Sequence, residues 1–164
     1  MNMTSDPEAA AQALRLDEYL PYRLSVASNA VSRLIARAYE DRFGLNIPQW
    51  RMMCVLAEEG PLTQNAIVAR TVMDKVSVSR AAQGLLRRRL IERSEHQADA
   101  RSHLLALTRE GSSLYGEIAP LALAYEAALI AGLSPNEVAQ LKRLLLRLQS
   151  AASALGGETA RAGS

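Results

Sequence analysis

The feature that most constrains the fold is the order of elements legible between residues 63 and 111. Thr63 stands where a side-chain oxygen can cap a short helix carrying Ala66, Ile67 and Val68; Thr71 and Val72 follow, and the polar Asp74 opens a second helix. Two helices only a few residues apart meet at a corner. Beyond them, 90–96 and 102–107 are apolar-polar mixtures of strand length, and Gln-Ala-Asp-Ala-Arg at 97–101 is too polar and too short for anything but a hairpin tip. A helix, a turn, a helix and a hairpin make the winged form of the helix-turn-helix. The expected fold class is therefore mainly α, a winged helix-turn-helix with long helices at both ends.

The second helix is expected from about Asp74 to Arg89. At about 100° per residue, Val78, Ala81, Ala82 and Leu85 fall in one arc, which packs on the preceding helix. Lys75, Val76, Ser79, Arg80, Gln83 and Arg87 fall in the opposite arc. That face offers donors for phosphates and base edges, and the Val76 methyl pair suits a thymine methyl. At the hairpin tip Asp99 and Arg101 stand two apart, so the carboxylate can orient the guanidinium, and an arginine on a narrow loop suits a minor groove. Residues 70–110 hold nine Lys and Arg against five Asp and Glu, four net positive charges where the whole chain has only +2. Basic charge is thus concentrated on the helix-turn-helix and wing, as an electrostatic footprint on nucleic acid requires.

Four segments carry a family resemblance: Met-Asp-Lys-Val-Ser-Val-Ser-Arg at 73–80, Leu-Ile-Glu-Arg at 90–93, Asp-Ala-Arg at 99–101 and Leu-Thr-Arg-Glu-Gly at 107–111. In order and spacing they resemble the multiple-antibiotic-resistance (MarR) type of bacterial regulators, over most of the chain. The chain departs from that pattern at Ala100, where the family usually has arginine, and at Arg89, where a glycine often precedes the first wing strand. The resemblance implies base discrimination through Lys75, Val76, Ser77, Ser79 and Arg80. Ser77 lies off the exposed arc and is placed at the helix start, with Thr63, Gln64 and Asn65 nearer the DNA backbone. With Gln83, Asp99 and Arg101 these form the expected DNA-binding set.

The flanking sequence is helical. Leu20, Leu24, Ala27, Val31, Leu34, Ile35 and Ala38 recur at helical spacing in a first helix expected over 17–43, with Pro21 near its start and Gly44 as its stop. A second helix, 48–59, carries Trp50, Met52, Met53, Cys54, Val55 and Leu56. After the wing, 111–132 is helical with Pro120 inside it. Ser134, Pro135 and Glu137 then open a closing helix whose Val138, Leu141, Leu144, Leu145, Leu148, Ala152 and Leu155 form one stripe. These terminal helices carry more apolar surface than a small winged helix can bury, so they need a partner. As in the resembled family, the first helix and the last two are expected to make a symmetric homodimer with two reading helices on one side, matching a pseudo-palindromic site on double-stranded DNA. The expected organisation is a flexible segment 1–14, a single domain 15–155 with its DNA-binding lobe at about 48–108 and dimerisation helices at about 15–44 and 109–155, and a flexible tail 156–164.

Along the first helix Ser25, Ser28, Asn29 and Ser32 stand at i, i+3, i+4 and i+7, a narrow stripe of small polar groups. Small residues let another helix approach closely. The same stripe suits the wall of a small-molecule cavity. The resemblance implies effectors lodged between the dimerisation helices and the DNA-binding lobe. Tyr22, Arg23, Ser25, Ser28, Asn29, Ser32, Trp50 and Met53 are accordingly the candidate ligand-binding set, for a small aromatic acid or its thioester. Trp50, the chain's one tryptophan, also suits a core anchor, the commoner role for such a residue.

Other function classes find less in the sequence. A single cysteine, Cys54, excludes an internal disulfide framework, and its apolar neighbours fit a buried, inert thiol. No signal peptide opens the chain and charged residues interrupt every long apolar stretch, so a soluble, cytoplasmic protein without membrane contact is expected. The histidines, His96 and His103, come with no nucleophile motif, phosphate loop or metal-ligand spacing, so no enzyme activity, cofactor, catalytic residue or metal site is expected. The expected function is a DNA-binding transcriptional regulator, a repressor released by its effector. The alternative is a winged-helix protein-interaction module without effector control, whose signature would be a missing wing arginine or an acidic reading helix.

Overall fold

The structure, a computed structural model, describes residues 14–95 and 102–162. The expected hairpin tip, with His96, Asp99 and Arg101, lies outside the described residues, as does most of the segment 1–14. In chain order the elements are α1 (Leu20–Ala36), α2 (Glu40–Phe43), α3 (Ile47–Glu59), β1 (Leu62–Thr63), α4 (Gln64–Thr71), α5 (Lys75–Arg87), β2 (Ile91–Glu95), β3 (His103–Leu107), α6 (Arg109–Ile130) and α7 (Pro135–Ala162). The chain divides into two compact units, 1–116 and 117–164.

The helix expected over 17–43 is two helices. Arg37, Ala38 and Tyr39 donate to the carbonyls of Leu34, Ile35 and Ala36, three residues back instead of four, and Tyr39 leaves helical geometry at φ −136°, ψ −18°. Ala36, Ala38 and Tyr39 are all buried. In one straight helix Ala36 and Ala38 would point about 160° apart, so burying all three requires the break. Gly44, at φ +63°, ends α2, and the Leu45 N–H returns to the Tyr39 carbonyl at 3.2 Å.

Asn46 and Gln49 form a reciprocal capping box at the start of α3, with Pro48 in its first turn. This helix places Trp50, Met52, Met53, Val55 and Leu56 in the core of the first unit. The sheet has three strands in the order β1-β3-β2, all antiparallel. Beside the expected hairpin, Leu62 and Thr63 add a strand, paired with Leu105 and Leu104. Two residues are too few to show alternation, which is why sequence periodicity missed it.

The Leu-Thr-Arg-Glu-Gly segment locks the wing to the end of α5. The Leu90 N–H reaches the Leu85 carbonyl and the Arg89 N–H that of Leu86, a Schellman closure that puts Arg89 at φ +56°. The Thr108 hydroxyl donates to the Arg89 carbonyl at 2.8 Å and accepts from the Gly111 N–H at 3.0 Å. Gly111 sits so close to this turn that a Cβ there would stand 1.9 Å from the Leu90 carbonyl oxygen. Only glycine fits.

In the second unit Ser134 and Glu137 cap α7 as expected: the Ser134 N–H and hydroxyl donate to the Glu137 carboxylate at 2.7 and 2.8 Å, and the Glu137 N–H donates back at 3.3 Å. The helix continues to Ala162, past residue 155 where the tail was expected to begin. Gly156 does not take the left-handed conformation that would stop it. Among the described residues, no single helix is long and apolar enough to cross a membrane.

Candidate nucleic-acid interface

Thr63 caps α4, its hydroxyl oxygen accepting from the Ala66 N–H at 3.2 Å. Val72 ends that helix in the left-handed region at φ +55°, and Asp74 opens α5 two residues later. The Asp74 carboxylate accepts from the Ser77 backbone N–H at 2.8 Å and from the Ser77 hydroxyl at 2.6 Å. The Ser77 hydroxyl, then its N–H, hold the Asp74 carboxyl below its usual pKa. Ser77 is therefore engaged in the cap at the helix start.

The two arcs of α5 are as the periodicity requires. Val78, Ala81, Ala82 and Leu85 are buried, whereas Lys75, Val76, Arg80, Gln83 and Arg87 are exposed and Ser79 is half-buried. Val76 is 58% exposed, unusual for a β-branched residue on a helix already packed on its other side. Gly84 faces α3, where an added Cβ would meet the Gln49 amide at 2.3 Å. The reading face thus stands clear of the packing face.

Not all the basic charge of residues 70–110 points outward. The Arg88 guanidinium donates to the carbonyls of Phe43 and Gly44 at 2.8 and 2.9 Å, fastening the end of α5 to the end of α2. Arg70 pairs with Glu59 and, at 3.5 Å, with Glu58. On α5, Lys75, Arg80 and Arg87 remain exposed.

β1 brings Thr63, Gln64 and Asn65 up to the wing sheet, where a groove of about 360 Å³ is lined by them with Arg93, Ser102, His103 and Leu105. Sequence reasoning did not join Arg93 and His103 to the site. The strand pattern held a signal: Arg93 and Leu105 are direct partners, as are Glu95 and His103, so all four lie on one face.

The candidate effector residues are divided by the fold. Tyr22, Arg23, Ser25, Ser28 and Asn29 are exposed and Ser32 half-buried on α1, while Trp50 and Met53 are buried on α3. Trp50 stacks with Tyr39 and with Tyr115, ring centroids at 5.4 and 5.5 Å. A cavity of about 500 Å³ bordering α1 is lined by Ala30, Arg33, Leu34, Ala36, Arg37, Glu40, Asp41 and Ile47, none of them in the stripe. Burial, then Glu40, pushes the Tyr39 hydroxyl up to about 12. Burial and the nearby Glu58 push the Cys54 thiol up to about 11, which keeps it protonated near neutrality. Among the described residues, no three His, Cys, Asp or Glu side chains are grouped to hold a metal ion.

Comparison with known proteins places this geometry. Residues 43–102 match the model of the MarR family. The uncharacterized HTH-type transcriptional regulator YwoH of Bacillus subtilis (strain 168) is 31% identical over 106 residues, covering 63% of this chain and 77% of YwoH. The structure is similar to that of a MarR/EmrR family transcriptional regulator from Acinetobacter sp. ADP1, with a TM-score of 0.78, 26% identity and coverage of 85% of this chain and 99% of the other. It is also similar to Bordetella bronchiseptica BpsR, whose DNA binding is regulated by 6-hydroxynicotinic acid, with a TM-score of 0.72, 26% identity and coverage of 79% and 97%. The three-stranded wing sheet, the capped reading helix with its exposed polar face and these similarities agree. This chain belongs to the MarR family of winged-helix, DNA-binding transcriptional regulators and is not an enzyme.

Proposed function

We propose that the chain is a dimeric repressor, released from a pseudo-palindromic operator by a small aromatic acid or its thioester. The observation that carries its DNA-reading part is the mounting of α5: packed on one side, capped at Asp74, fastened at Arg88, and open on Lys75, Val76, Ser79, Arg80 and Gln83. In this reading these residues and Ser77 contact base edges and phosphates, Thr63, Gln64 and Asn65 approach the DNA backbone, and Arg101, oriented by Asp99, enters the minor groove. The terminal helices supply the dimer, which would set two copies of α5 on one side of the duplex.

The effector part is supported by the regulation of BpsR by an aromatic acid. In this chain the hydroxyls and amide of Ser25, Ser28, Asn29 and Ser32 form the polar side of the site, with Tyr22 and Arg23 adding a hydroxyl and a positive charge for a carboxylate. Trp50, stacked with Tyr39 and Tyr115, and fully buried Met53 contribute by supporting the apolar wall. To release DNA, the ligand must bind two conformations differently, and a tenfold preference corresponds to about 1.4 kcal/mol.

The test is titration of benzoates, cinnamates and their thioesters against the protein–DNA complex, for wild type and for Asn29→Leu and Trp50→Ala. Displacement from wild type that is weakened in both variants is the expected result. Equal displacement from all three proteins would place the effector elsewhere.

A further inference from the structure

The groove between the start of α4 and the wing sheet contains four side chains outside the DNA-contact set, Arg93, Ser102, His103 and Leu105. Its α4 side offers Thr63, Gln64 and Asn65, and its floor is the buried Leu105. Cross-strand register sets His103 opposite Glu95 and diagonal to Arg93 on one face. A long side chain can reach such a diagonal neighbour, so guanidinium and imidazole can converge on one ligand atom group. The other polar side chains, two amides and two hydroxyls, are of types that can also donate. A groove with an apolar floor and convergent donors, two of them cationic or able to become so, matches an anion.

We propose that this groove seats a backbone phosphodiester of bound duplex DNA, with Arg93 as its permanent charge and His103 as a donor whose charge follows pH. DNA is the occupant because Thr63, Gln64 and Asn65, which border the groove, open the helix-turn-helix whose second helix is α5, so a duplex lying on α5 brings a phosphate strand past Arg93 and His103. Histidine changes charge between about pH 5 and pH 8, and only the imidazolium adds a cation to the groove. Among the described residues, the charged groups on the face of His103 are Glu95 and Arg93, both from β2, and the α4 and β1 residues that line the groove bring no titratable side chain. A phosphate seated beside the imidazole favours the imidazolium over the neutral ring, so DNA binding tightens as pH falls.

The inference rests on the DNA-contact reading above, and one experiment separates them. Binding of the full-length protein to a labelled random-sequence duplex is measured by anisotropy at several salt concentrations, at about pH 8 and about pH 5.5. The variants are His103→Gln, Arg93→Gln and, as control, His96→Gln, each checked for fold by circular dichroism at both pH values. Wild type should bind about three- to tenfold tighter at the lower pH, with the log–log salt slope steeper by about 0.9 for the added phosphate contact. His103→Gln should remove that gain and His96→Gln retain it, while Arg93→Gln should flatten the slope by about 0.9 at both pH values. A His103→Gln protein with the wild-type pH dependence, or an Arg93→Gln protein with the wild-type slope, would overturn the phosphate seat and leave the reading helix untouched. Wild type that binds no duplex at any salt would overturn both.

Discussion

At the residue scale, the chain's departures from the family pattern have local physical consequences. Arg89 stands where a glycine is frequent, and its φ of +56° is the conformation that glycine adopts without strain. The closure survives because the Leu90 N–H and the Thr108 hydroxyl hold the turn from both sides. Tyr39 shows burial acting on chemistry: it is 2% exposed, stacked on Trp50, and its hydroxyl is pushed up to about 12. A phenol whose pKa is raised on folding binds its proton more tightly in the native state. Its contribution is fully present below the unfolded value of about 10 and is lost as pH rises from there through about 12. About 2 to 3 kcal/mol of unfolding free energy should disappear over that window. Urea titrations at a series of alkaline pH values should show the loss in wild type and a smaller one in Tyr39→Phe. The same slope in both proteins would show that Tyr39 is not its source.

At the scale of elements, α5 depends on its first turn. Asp74→Ala removes the acceptor of both Ser77 hydrogen bonds, so the Ser77 amide should exchange faster with solvent and DNA binding should weaken, while Asp74→Asn, still able to accept, stays near wild type. An unchanged exchange rate in Asp74→Ala would show that packing alone holds the first turn. Because folding lowers the Asp74 pKa, its contribution is present above the unfolded value of 3.8 and is lost as pH falls through the lower, folded one. That cap was legible in the sequence, as were the two arcs of α5, the caps at Thr63 and Ser134 and the strand character of 91–95 and 103–107, because local rules set each of them. What stayed hidden is what long-range contacts decide. The break at 37–39 follows from burying Tyr39 against a tryptophan eleven residues away, and β1 exists only because β3 accepts it. The groove with Arg93 and His103 was hidden for the same reason, since β1 is what brings the start of α4 to the sheet. Arg88, counted by charge as part of the footprint, proves to be a fastener between α5 and α2, which composition could not reveal.

At the scale of the molecule, the unit 117–164 cannot be explained as a core of its own. Among its described residues Ile118 is the one buried apolar side chain, while Leu123, Leu146 and Leu155 are each more than three-fifths exposed. Leu141, Leu144, Leu145 and Leu148 also lie open along α7. So much contiguous apolar surface is costly in water at about 25 cal/mol per Å², and monomeric proteins rarely present it. A second copy is the occupant that also serves the function, because a two-fold axis gives two reading helices the spacing of one DNA turn, about 34 Å. Leu144 and Leu148 are one helical turn apart on the same face, so two carboxylates there would have to be buried unpaired in any dimer that uses it. The double variant Leu144→Glu with Leu148→Glu should sediment as a monomer at concentrations where wild type is a dimer. Its α7 should keep the Ser134–Glu137 cap, so the helical signal by circular dichroism should fall little. Binding to a two-half-site duplex should drop to that of a single reading head, whereas binding to one half-site should stay close to wild type. A double variant that remains dimeric and binds the full site normally would move the dimer surface off this face of α7 and leave its leucines without a partner.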